Sequence, residues 1–144
     1  MKVVHTKDTT SDTYIDALKI RQHVFINEQH IAKAIEIDKY EAISIHFVLY
    51  LSNKKAIATC RLRPLEDGKI KLERVAVETN YRKKNYGTIL IKAAETFAKE
   101  QGYHQITLNA QLPVVNFYHQ LDYQQMGKAF LEAGIKHLPM EKNL

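Results

Sequence analysis

Val75-Ala76-Val77-Glu78-Thr79-Asn80-Tyr81-Arg82-Lys83-Lys84-Asn85-Tyr86-Gly87-Thr88 is the stretch on which the fold turns. It opens on an apolar triplet ending a strand from Lys69, crosses a basic loop and enters a helix. In that helix Leu90, Ala93, Ala94, Phe97 and Ala98 fall at i, i+3, i+4, i+7 and i+8, and Gly102 stands where a left-handed residue closes the helix without a Cβ clash. The junction points to an anion. A helix N-terminus presents unpaired N–H groups and a partial positive charge, and Arg82, Lys83 and Lys84 are the one tight basic cluster of the chain. Gly87 has no Cβ to hold a ligand off the backbone. Charge and glycine alone also admit a surface loop with solvated lysines.

Downstream, His104–Ala110 reads as a strand with Ile106, Leu108 and Ala110 on one face, so Leu72 to Ala110 predicts a strand–helix–strand crossover with parallel strands. Pro113 suits the first turn of a helix carrying Val114, Phe117, Tyr118 and Leu121, and Tyr123 to Met126 and a segment toward Met140 supply two more strands. Upstream, Lys55–Arg63 is a strand between turns at Ser52–Lys54 and Pro64–Gly68. From Ser44 the alternation of Ile45, Phe47, Leu49 and Leu51 against His46, Val48 and Tyr50 predicts a half-buried strand. Before it come a strand at Lys2–Thr6, a capping box at Thr13 and Asp16, and a helix with Tyr14, Ala17, Leu18, Val24 and Phe25 on one face, ending near Gln29. The sum is an α/β (α+β) fold: a mixed, mostly antiparallel sheet with a βαβ crossover and flanking helices.

The 144 residues, 45% hydrophobic and 26% charged, suit a single domain over 1–144 with one core. The chain shows no signal peptide or membrane-spanning stretch, so a cytoplasmic protein without a membrane partner is expected. Cys60 is the only cysteine and reads as buried packing. The seven histidines are scattered, with no spacing for metal ligands, and no metal is expected; mid-strand His46 reads as a hydrogen-bonded structural residue. Hydrolase, nucleotide-hydrolase and dinucleotide fingerprints are absent. The net charge of +5 is too dispersed for a nucleic-acid stripe.

Arg82-x-x-Asn85-x-Gly87 after the Val75–Val77 triplet resembles the pyrophosphate loop, Arg/Gln-x-x-Gly-x-Gly/Ala, of the GNAT acetyltransferase superfamily. Asn85 replaces the first glycine, and asparagine tolerates positive φ better than most residues. Phe117-Tyr118-His119-Gln120-Leu121-Asp122-Tyr123 resembles the family's Phe-Tyr-x-x-x-Gly-Phe segment, with Asp122 for glycine. Arg21–Gln29, Asn109–Gln111 and Glu132–His137 resemble a bacterial subgroup of small, mostly uncharacterised members, so the likeness covers nearly the whole chain.

The resemblance implies acetyl-CoA as co-substrate and direct attack by an amine. Main-chain groups of Val75, Ala76 and Val77 would pair with the pantetheine arm. Arg82, Lys83, Lys84, Asn85, Tyr86, Gly87 and Thr88 would cradle the pyrophosphate, and Asn116 and Tyr118 would form the opposite wall. Tyr118 would protonate the leaving thiolate, unless it is only a core tyrosine. Glu73, placed by alternation on the strand face of Val75, and Glu28 are both candidate bases; a salt-bridged strand glutamate is the other reading of Glu73. The acceptor would be a small-molecule amine or a peptide, with Glu36, Asp38 and Glu41 lining its side or merely solvated. A homodimer stays open. Arg21-x-x-Val-Phe-x-x-Glu28 with Asp38 also resembles acyl-homoserine lactone synthases, which would imply an acyl-carrier protein. The replacements at Asn85 and Asp122 keep a catalytically silent CoA-binding module in view.

Overall fold

One eight-stranded sheet organises the computed structural model, which describes Met1–Leu144. In chain order the elements are β1 (Lys2–Thr6), α1 (Asp12–Arg21), a π-helical turn (Gln22–Glu28), α2 (Lys33–Glu36), β2 (Ile45–Tyr50), β3 (Ala56–Pro64), β4 (Lys69–Val77), α3 (Tyr86–Glu100), β5 (Gln105–Gln111), α4 (Val115–Gln120), β6 (Gln124–Gln125), β7 (Phe130–Glu132) and β8 (Ile135–Asn143). The sheet runs β1-β2-β3-β4-β5-β8-β6, with β7 also on β8, and only β4 and β5 are parallel. The main core lies on the α3 face: Phe47, Leu62, Leu72, Leu90, Ala94, Ile106 and Leu108 belong to it. A smaller core, with Ala17, Ile20, Val24, Phe25, Val48 and Ala76, lies under α1.

Several local expectations shift. The N-cap of α1 is Ser11, whose extended backbone lets Oγ accept from Tyr14 N–H at 3.2 Å, whereas Thr13 is already inside the helix. Past Arg21 the turns widen to a π-helix, and the Gln29 N–H donates to Val24 C=O. β2 is buried on both faces rather than half-buried, because α1 covers its second face and the polar residues there are bonded: His46 Nε2 donates to Glu41 C=O at 2.8 Å and Tyr50 Oη to Asp16 at 2.6 Å. Pro113 lies in a 3₁₀ turn before α4, and the C-terminal segment folds into the hairpin β7–β8 through left-handed Ala133 and Gly134.

The feature that positions a site is a fork. β4 and β5 pair only from Lys69↔Gln105 to Leu72↔Leu108. Beyond Leu72, β4 stays with β3 as far as Val77, while β5 follows β8 to Gln111. A bulge sits at the parting: Arg74 has φ 56°, and the register shift sets Arg74 and Val75 against the single Cys60. The extra residue reverses the alternation. Glu73 therefore lies on the α1 face, while Val75 and Val77 pack against the α3-side core, which corrects the expectation that Glu73 and Val75 share a face.

Candidate active site

The loop between β4 and α3 is built to receive an anion. Lys83 (φ 61°) and Asn85 (φ 71°) are both left-handed, and alternation of this kind turns successive N–H groups toward one side. Asn85 thus keeps the loop shape in place of glycine, as does Asp122 (φ 70°) in the turn after α4. From Lys83 through Thr88 no main-chain N–H finds an acceptor in the chain. A Cβ on Gly87 would stand 3.4 Å from Phe117 Cζ and 3.8 Å from Val77 Cγ2, so this first turn of α3 meets the end of β4 and the start of α4. Asn116 is exposed at the start of α4.

Arg82 faces elsewhere. Its guanidinium makes a bidentate pair with Glu28, both contacts at 2.7 Å, and its Nε donates to Val77 C=O at 2.9 Å. Two residues read for separate duties therefore hold each other, and one of the main-chain acceptors expected for the pantetheine arm is occupied. The Arg82 hydrogen bonds lower the Glu28 pKa against a small opposing effect of burial. His23 and Glu78, at 2.9 Å, tie the π-helical turn to the same loop.

Tyr118 is buried with its ring edge-on to Phe117 and Tyr123. Tyr123 donates to Glu95 at 2.8 Å, but the Tyr118 hydroxyl has no hydrogen-bond partner in the chain. Burial pushes the Tyr118 pKa up, and neighbouring Cys60 adds to the shift. Cys60 is itself fully packed, with its thiol pKa raised by burial.

On the α1 face lies an ion-pair ring that charge alone did not reveal. Arg21–Glu36 (3.0 Å), Glu36–Arg74 (2.9 Å), Arg74–Asp38 (3.1 Å), Asp38–Arg61 (2.7 Å), Arg61–Glu41 (2.8 Å) and Glu41–Arg21 (2.8 Å) close on themselves. Arg61 extends the ring to Glu73 at 3.0 Å, and Arg63 reaches the same carboxylate at 2.9 Å. Burial alone would raise the Glu73 pKa, but Arg63, Arg61 and Lys71 outweigh it and the net shift is downward. Glu36, Asp38 and Glu41 are consumed in the ring, so the acidic segment offers no free negative field to an acceptor, contrary to the expectation from sequence.

This burial sets a pH dependence. Burial lowers the His46 pKa; burial would raise that of Glu41, but its hydrogen bonds and ion pair with Arg21, helped by Asp38 N–H and the Tyr14 hydroxyl, outweigh this and hold it well below the usual carboxylate range. Both folded-state values lie below the unfolded ones, so each contribution is complete above the unfolded pKa and is lost as pH falls toward the folded value. The melting temperature should be flat between pH ~7 and about 8, decline below about 6.5 as the unfolded chain protonates at His46, and drop faster below about 4.5; above about 8.5 it should fall again, because Cys60 and Tyr118 ionise more readily in the unfolded chain. Scanning calorimetry of wild type and His46→Gln checks this: a first decline that persists unchanged in the variant assigns it elsewhere.

Two further features of this face escaped the sequence reading. Gln29 and Gln111 exchange amide hydrogen bonds at 3.0 and 3.3 Å, bridging the end of the π-helical turn to the end of β5. His137, paired in register with Gln111, is fixed by an Nδ1–H donated to Ile135 C=O at 2.7 Å, which leaves Nε2 as the acceptor nitrogen in the neutral ring. Their signal was the polar series Thr107, Asn109, Gln111 alternating with the apolar face of β5. A separate hollow of about 470 Å³ lies at the β1 edge, bordered by Lys2, Val4, Tyr50 and Leu51, away from the fork. No group of three or more His, Cys, Asp or Glu side chains is arranged to hold a metal ion, and no helix is long and apolar enough to cross a membrane.

Residues 8–144 match the family profile described as Acetyltransferase (GNAT) domain. The chain belongs to the GNAT acetyltransferases. It is similar to the uncharacterized N-acetyltransferase YjcF of Bacillus subtilis, 38% identical over 144 residues, 99% of this chain and 100% of that protein. A crystal structure assigned as an N-acetyltransferase from Lactobacillus plantarum superposes with a TM-score of 0.91 at 28% identity, over 99% of this chain and 97% of that one. The CoA-dependent acyl-homoserine lactone synthase BjaI shares the fold, with a TM-score of 0.81 at 14% identity over 98% of this chain and 81% of that one. As a GNAT acetyltransferase the chain is an acyl-transferring enzyme, and the mostly antiparallel sheet with its β4–α3–β5 crossover is the family's architecture.

Proposed function

We propose that this GNAT enzyme moves the acetyl group of acetyl-CoA to an amine by direct attack at the fork. The observation that carries the reading is the run of unpartnered N–H groups from Lys83 to Thr88 at the first turn of α3, at the open end of the fork where β4 ends. The pyrophosphate would lie on that run, with Arg82 released from Glu28 to join Lys83 and Lys84. The pantetheine arm would follow the main chain of Val75, Ala76 and Val77 into the fork, with Asn116 on the opposite wall.

The neutral amine attacks the thioester carbonyl carbon, the C–S bond breaks, and Tyr118 Oη gives its proton to the departing sulfur. Glu28, once Arg82 turns to phosphate, takes the proton lost by the amine, directly or through water. Glu73 stays ionised among its cations and contributes field rather than proton transfer.

Calorimetry with CoA and thiol release from acetyl-CoA over an amine panel, run beside an acyl-carrier protein, test the proposal. Preferred use of the carrier would overturn the cofactor assignment, and binding without turnover would favour the silent module. Gly87→Val should stay folded, because a Cβ there meets only ordinary contacts. Its added methyls would deny phosphate the first turn of α3 and weaken CoA binding about 100-fold, the loss of two charge-assisted hydrogen bonds at about 1.5 kcal/mol each. Normal binding by a folded Gly87→Val protein would refute the placement.

A further inference from the structure

The ion-pair ring balances itself, but the charge beside it does not. Arg21, Arg61 and Arg74 alternate with Glu36, Asp38 and Glu41, leaving no carboxylate of the ring free. Outside the ring stands Glu73, approached by Arg61, Arg63 and, at 3.8 Å, Lys71. Since Arg61 is already served by Asp38 and Glu41, Arg63 and Lys71 share a single negative charge. They are also directly opposite each other across β3 and β4, where like charges repel. Glu141 lies two strands farther on, about 10 Å away across Thr107, and pairs with neither.

Both cations are presented rather than buried out of use. Arg63 spends Nε and one terminal nitrogen on Glu73, stacks on the Tyr40 ring with 3.9 Å to its centroid, and leaves Nη1 without a hydrogen bond. Lys71 is 21% exposed. With the Asn109 amide oriented to donate to Leu108 C=O, its oxygen meets Lys71 Nζ at 3.2 Å. That contact spans β4 to β5 at the first step where the two strands no longer pair, so the surplus positive charge sits at the root of the fork, on the face opposite α3.

We infer that the acceptor is an amine that also carries a carboxylate, and that Lys71 Nζ and Arg63 Nη1 receive this carboxylate at the root of the fork while the amine reaches the thioester farther along the slot. The inference rests on the acyl-transfer reading and deepens it by naming the acceptor class. An anion there relieves the cross-strand repulsion and supplies the missing negative charge, whereas a polyamine meets a surplus of its own sign.

The test is thiol release from acetyl-CoA with matched pairs: phenylalanine against phenethylamine, β-alanine against ethylamine, lysine against cadaverine. At least one acid should exceed its decarboxylated partner about tenfold in kcat/KM, and Lys71→Met should reduce that ratio about tenfold through KM, as expected for a contact made equally in ground and transition states. Arg63→Gln should act in the same direction. If CoA binds and the decarboxylated amine wins every pair, this inference falls while acyl transfer stands. If CoA does not bind, acyl transfer falls. Should no amine turn over, amide shifts of Lys71 and Asn109 on titration with N-acetyl-β-alanine decide: shifts in wild type that vanish in Lys71→Met sustain the subsite, and none in wild type overturns it.

Discussion

Tyr118→Phe should lower kcat about 100-fold or more while CoA affinity changes by less than about threefold. The variant keeps the ring and its contacts with Phe117 and Tyr123, and because the hydroxyl has no partner in the chain, its removal orphans no buried group. On the proposed mechanism, what is lost is the proton donor to the departing sulfur, which matters only as the C–S bond breaks. Burial has raised the Tyr118 pKa, which keeps it protonated throughout the neutral range. Wild-type kcat should accordingly show no decline between pH 7 and about 9 from loss of the acid. Stopped-flow thiol release gives kcat, calorimetry gives CoA affinity, and an unchanged kcat removes Tyr118 from the reaction.

The parts of this enzyme that were legible in the sequence are those governed by local rules. The 3.6-residue spacing from Leu90 to Ala98 with Gly102 behind it describes α3, and alternation describes β5 residue by residue. Asn85 and Asp122 occupy the left-handed positions that the family pattern assigns to glycine, because both side chains tolerate positive φ. The unread parts depend on distant partners. Arg74 holds φ 56° at the bulge with hydrogen bonds to Glu36 C=O and a pair with Asp38, contacts made across more than 30 residues of chain. Without that bulge, period-two reasoning put Glu73 beside Val75. The π-helical turn likewise answers to tertiary demand, since it carries Val24 and Phe25 into the second core and Glu28 onto Arg82. Glu36, Asp38 and Glu41 look like a solvated acidic loop because nothing near them in sequence reveals Arg61 and Arg74 as their partners.

Arg61→Met should cost about 3–5 kcal/mol of stability and lower the melting temperature by roughly 10–20 °C, the largest stability effect expected of any single substitution here. Arg61 is fully buried and is the one side chain bonded to Asp38, Glu41 and Glu73 together. Methionine fills much of the volume, so the loss is electrostatic: three carboxylates in a partly dry space retain Arg21, Arg74, Arg63 and Lys71, but the link joining them is gone. The carboxylates would respond by holding protons at higher pH, and the acid decline of stability should begin at higher pH in Arg61→Met than in wild type. Arg63→Met removes a cation whose one ion pair is with Glu73 and which also stacks on Tyr40, and should cost less than half as much. Chemical denaturation of the three proteins decides the matter: a loss under about 1 kcal/mol for Arg61→Met would mean that the ring contributes no more than surface pairs do. Because Arg61 lies in register with Glu73, next to the bulge at which β4 leaves β5, a folded remnant of the variant should also bind CoA less well if the loss of its pairs disturbs that bulge.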